Sequence, residues 1–86
     1  MLFLVDWSVS CSNRDAANAR FKETGGPPPA GVKMIGRWHG VNGGGVVIAE
    51  TSDTVALGKW LQQWSDLIEF DVTPVVDDAG VMKILK

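Results

Sequence analysis

The chain has 86 residues, 45% apolar and 21% charged, with eight Lys and Arg against ten Asp and Glu for a net charge of −2. That length makes one domain, residues 1–86, with a thin core, and the charge balance lacks the basic excess of a nucleic-acid module. One cysteine and one histidine exclude an internal disulfide and a zinc site of those residue types alone; the longest apolar run, Met1–Val5, is too short to span a bilayer or form a signal-peptide core.

In the first segment, Phe3, Val5, Trp7 and Val9 alternate with Leu2, Leu4, Asp6 and Ser8, the period of a strand. Ser12 or Asn13 caps a helix running to about Glu23, with Asp15 in its first turn and Ala17 and Phe21 in i, i+4 contact. Gly25-Gly26 ends it, and Pro27-Pro28-Pro29 stiffens the connection that follows. Val32–Val41 is a second strand, Asn42-Gly43-Gly44-Gly45 a hairpin signal and Val46–Glu50 a third strand. Ser52 or Asp53 caps a second helix through about Leu67. Its residues Leu57, Trp60, Leu61, Trp64 and Ile68 form one apolar stripe. Phe70–Val76 is a fourth strand, which Pro74 assigns to a sheet edge. Asp77–Gly80 is a turn, and Val81–Leu85 is an apolar tail whose structure the pattern leaves open. The order β-α-β-β-α-β predicts an α+β, ferredoxin-like fold: a four-stranded antiparallel sheet in the order 4-1-3-2 with both helices on one face.

The hairpin allows a two-residue or a four-residue loop. In both registers Lys33, Ile35, Arg37 and His39 share a face with Val46, Ile48 and Glu50. The opposite face carries Met34, Gly36, Trp38, Val47 and Ala49, and its small residues suit close helix packing. The face left open is too apolar for water and too charged for an ordinary core. A second copy related by a two-fold axis is its simplest cover. Two such sheets face to face make a dimeric α+β barrel, so a homodimer through the open sheet face is expected.

The stretch Glu23–His39 with the following glycine, ETGGPPPAGVKMIGRWHG, resembles the small bacterial family called domain of unknown function 3303. So do Ala49-Glu50 and Trp60 followed by Trp64-Ser65-Asp66-Leu67. The resemblance covers most of residues 1–78, and its most specific part is Gly36-Arg37-Trp38-His39 behind the Gly/Pro loop. It implies kinship with dimeric α+β barrel proteins of the muconolactone isomerase-like, antibiotic-biosynthesis monooxygenase-like and stress-responsive kinds. The family carries no established activity, so the resemblance transfers no catalytic residue. The segment Val81–Lys86 departs from its pattern.

Candidate site residues come from the face holding Arg37, His39 and Glu50, with Asp6 on the neighbouring strand. Histidine titrates near neutrality and serves as general acid or base, so His39 is the catalytic candidate; Arg37 binds a carboxylate bidentately. A structural ion-pair network is the competing reading of these four residues. Trp60 and Trp64 belong to the core stripe, and Trp7 and Trp38 are assigned to the core rather than to a pocket. Cys11 lacks a base in sequence reach and reads as an inert thiol. The glycine-rich Asn42–Gly45 lacks the Lys-Ser/Thr of a phosphate loop, and the third strand lacks the stacking aromatics of an RNA-recognition module. The expected function is binding of a small carboxylate-bearing or aromatic ligand near Arg37 and His39, with any catalysis undetermined. The alternative is a non-catalytic assembly or regulatory protein whose charged sheet face specifies dimerisation. No cofactor, bound metal, nucleic acid or membrane is expected to take part, and the expected location is the cytoplasm.

Overall fold

The computed structural model describes every residue from Met1 to Lys86. The elements are β1 (Leu2–Val9), a 3-10 turn (Cys11–Asn13), α1 (Arg14–Thr24), β2 (Lys33–His39), β3 (Gly45–Glu50), α2 (Thr54–Gln62), β4 (Ile68–Val75) and α3 (Asp78–Ile84). All strand pairs are antiparallel, and the sheet order is β2-β3-β1-β4, that of a ferredoxin-like α+β fold. β4 is an edge strand, so Pro74, opposite Phe3, can lack its N–H without breaking a ladder on its outer side.

The core forms where alternate residues of the central strands meet α2. Phe3, Val5, Val47, Ala49, Leu57 and Trp60 are buried together, and Val32 closes one end. Val5 and Ala49 are fully buried, at 0% exposure. Asp53 caps α2 by accepting the Ala56 N–H at 3.0 Å. The Thr51 hydroxyl donates to the Gly31 carbonyl at 2.6 Å and accepts the Asp53 N–H at 2.9 Å, tying the start of α2 to the Gly/Pro connection. α2 ends at Gln62 rather than near Leu67, because the chain tightens into turns whose N–H groups reach three residues back, Trp64 to Leu61 and Leu67 to Trp64. Trp64 nevertheless stays buried.

α1 is built differently. Its single buried residue is Ala17. The Asn13 side chain does not cap it but donates to the Leu67 carbonyl at 3.3 Å. At the other end Gly25 takes the left-handed conformation (φ 74°) and its N–H closes on the Phe21 carbonyl at 2.7 Å.

The hairpin departs from both registers considered above. Its loop is odd: Gly40 pairs with Gly44 around Val41-Asn42-Gly43, with Gly43 left-handed at φ 96°. An odd loop inverts the parity that either even loop gives. Arg37 therefore lies opposite Val47 and His39 opposite Gly45, on the helix-covered face, while Trp38 opposes Val46 and Gly36 opposes Ile48 on the open face. Ile35 is an extra residue at a bulge, which restores Met34 to Ala49 and Lys33 to Glu50. Trp38, assigned to the core from sequence, is 60% exposed, its indole lying over Gly36.

The open face carries Leu2, Leu4, Val46 and Ile48, all partly exposed, and Trp38, which is mostly exposed; the bulge residue Ile35 is about half exposed. Its charges are Lys33 opposite Glu50 and Asp6 directly opposite Asp71. The C-terminal tail is a third helix, α3, whose N-cap Asp77 accepts the Gly80 N–H at 2.8 Å, so the expected turn is its first turn. Val81, Met82 and Ile84 on α3 are exposed. No helix is long and apolar enough to cross a membrane.

Candidate functional site

α1 buries little, and a cavity of about 110 Å³ lies beneath it against the sheet. The sheet contributes Trp7, Val47 and Phe70 from the helix-covered face, with Arg37 and His39 from β2. α1 contributes Ala17, Asn18 and Phe21; Trp60 and Leu61 of α2 and the following Trp64 complete the wall. The lining is aromatic and aliphatic, with Arg37, His39 and Asn18 as its polar side chains.

Arg37 is held by the end of α1. Its Nη1 donates to the Gly26 carbonyl at 2.7 Å and its Nη2 to the Gly25 carbonyl at 2.9 Å. The guanidinium carbon stands 4.9 Å from the centre of the Phe21 ring. Carbonyls at a helix C-terminus favour a cation, but no carboxylate pairs with Arg37; the chain's ion pair joins Arg20 and Asp66. Burial pushes the Arg37 guanidinium below its ordinary pKa, and it remains charged. A side chain at Gly26 would meet Nη1 at 3.2 Å and the rings of Phe21 and Trp64 at 3.4 Å, so glycine leaves the space that Arg37 occupies.

His39 stands at the mouth. Its imidazole meets Trp7 edge-on at 5.5 Å and Phe21 edge-on at 4.9 Å, centre to centre. The ring is exposed to water on its outer side.

The four residues proposed from sequence do not form one cluster. Arg37 and His39 share the cavity, but Glu50 and Asp6 lie on the opposite, open face of the sheet. The physical reason is the odd hairpin loop, which turns Arg37 and His39 away from Glu50. Trp7 serves both core and cavity, being packed against the buried cluster and lining the space. Sequence reasoning missed Phe21, Asn18 and Phe70 as lining. The alternation of β1 and β4 places Phe70 opposite Trp7, and Phe21 follows Ala17 by one helical turn. No group of three or more His, Cys, Asp or Glu side chains is disposed to hold a metal ion.

Two ties hold α1 over the cavity besides Arg37. Arg20 grips both carboxylate oxygens of Asp66 at 2.8 Å, donates to the Gln63 carbonyl at 2.9 Å and lies 5.4 Å from the Trp64 ring centre. The hydrogen bonds hold the Asp66 carboxyl below the usual carboxylate range and raise Arg20. Arg14 donates to the Val41 carbonyl at 2.9 Å, joining the start of α1 to the hairpin loop.

No curated protein and no solved structure matches the chain. The family model described as Domain of unknown function (DUF3303) matches residues 1–86, the whole chain. The chain belongs to that family.

Proposed function

We propose that this is a cytoplasmic binding protein for a small carboxylate-bearing or aromatic molecule, held in the cavity between α1 and the sheet. The observation that carries this reading is Arg37: a partly buried guanidinium with no carboxylate partner, at the wall of an aromatic cavity. Arg37 orients the ligand, and His39 at the mouth is the group positioned for proton transfer should the bound molecule react. A crystal structure of the protein soaked against a metabolite mixture tests the reading. Density inside the cavity, in contact with Arg37, is the expected result; a cavity that stays empty while ligands bind elsewhere overturns it.

The open sheet face supports a second, compatible proposal: two copies pack these faces together in a homodimer. The supporting observation is a sheet surface with Leu2, Leu4, Val46 and Ile48 partly exposed and Trp38 at 60% exposure. Sedimentation equilibrium at micromolar concentrations should give about twice the 9.3 kDa of one chain. Ile48→Glu should dissociate the pair, because it buries an unpaired charge at mid-face. A wild-type mass of one chain, or unchanged elution of the variant, contradicts the proposed interface. Glu50 and Asp6 belong to this face, where they bear on assembly and not on ligand binding.

A further inference from the structure

The proposed binding reading can be narrowed by the size, wall chemistry and charge of the cavity. Its volume is about 110 Å³. An apolar cavity of about 150 Å³ holds one benzene molecule, so this smaller space has room between its walls for no more than a single ring. The walls carry the rings of Trp7, Phe21, Trp60, Trp64 and Phe70 with aliphatic side chains between them. An aromatic ring packed edge-on or offset against other aromatic rings gains stabilisation that a saturated ring does not.

The sign of the ligand charge follows from what the lining lacks. An aromatic cage alone suits a cation. Here no Asp or Glu lines the cavity, and the charged group is Arg37. A cationic ligand would therefore lie beside an unpaired guanidinium. Arg37 has spent one N–H of each terminal nitrogen on the Gly26 and Gly25 carbonyls. Those two bonds fix its plane, and three of its five N–H groups are left for an anion.

We infer, resting on the proposed binding reading, that the cavity takes one aromatic ring bearing one anionic group, the benzoate class, with the ring among the tryptophans and the anion on Arg37.

Tryptophan fluorescence reads occupancy directly, because Trp7, Trp60 and Trp64 line the space. The wild-type protein is titrated with benzoate, benzyl alcohol, benzylamine, cyclohexanecarboxylate and 1-naphthoate, and each affinity is checked by calorimetry. Benzoate should bind at least about tenfold more tightly than benzyl alcohol or cyclohexanecarboxylate, and benzylamine and naphthoate should be weakest. Arg37→Gln, its folding checked by thermal melt, should remove the advantage of benzoate over benzyl alcohol. Should that variant unfold, the wild-type series decides alone. Benzyl alcohol or benzylamine binding as tightly as benzoate overturns the charge assignment. Cyclohexanecarboxylate or naphthoate binding as tightly overturns the single aromatic ring. If no probe binds up to about 10 mM, the class is wrong, and the metabolite-soaked crystal separately decides whether the cavity binds any small molecule.

Discussion

α1 and α2 lie on the same face of the same sheet and are held there by different forces. α2 buries Leu57 and Trp60 in the core, with Asp53 capping its start. α1 buries Ala17 alone and is held by arginines: Arg14 at its start to the hairpin, Arg20 in its body to Asp66 and Gln63, and Arg37 of β2 to Gly25 and Gly26 at its end. Apolar packing excludes space, whereas directional polar ties can span it. The cavity under α1 is what remains when a helix is held largely by polar ties and only lightly packed along its length.

The largest expected effect is on the packed helix. Trp60→Ala should cost roughly 3–5 kcal/mol in urea melts, through loss of a buried aromatic in the core cluster. A loss below about 1 kcal/mol would show that α2 does not depend on its apolar stripe.

Gly25→Ala probes the end of α1, where φ is 74°. Forcing a Cβ into the left-handed conformation should cost about 1 kcal/mol and loosen the two carbonyl contacts of Arg37. Hydrogen exchange of the last turn of α1 should rise while that of α2 stays the same. Equal acceleration of both helices would mean that they open as one unit and would erase the contrast.

The smallest effect concerns the Arg20–Asp66 tie, which is solvent-exposed. Its carboxyl titrates below the ordinary range when folded, so its stabilisation is complete above the unfolded pKa and is lost as pH falls through the folded one. Between about pH 5 and pH 3, wild type should lose more melting temperature than Asp66→Asn. Identical pH profiles would mean that the tie contributes nothing to holding α1.

How much of this was legible in the chain follows from which signals are local. The strand order and both long helices follow from apolar alternation and from the stripe through Leu57 and Trp60. The edge position of β4 follows from Pro74. The face on which Arg37 and His39 lie was not legible from the same patterns, because it depends on whether the hairpin loop is even or odd. Asn42-Gly43-Gly44-Gly45 permits several lengths, and the left-handed Gly43 selects three. The bulge at Ile35 then shifts the parity again, which periodicity within β2 alone does not reveal. α3 lacked an apolar periodicity because Val81, Met82 and Ile84 are all exposed and form no buried stripe; the cap at Asp77 was its one local signal.

The site at Arg37 and His39 is tested most directly by one variant and one titration. His39→Ala removes a side chain at the cavity mouth that packs against the rings of Trp7 and Phe21. With the molecule found in the soaked crystal, calorimetry should show affinity weakened about 5–150-fold, the loss of one hydrogen-bonding group, while the melting temperature changes by no more than a few degrees. Unchanged affinity together with a clearly lowered melting temperature would contradict the account and make His39 a structural residue.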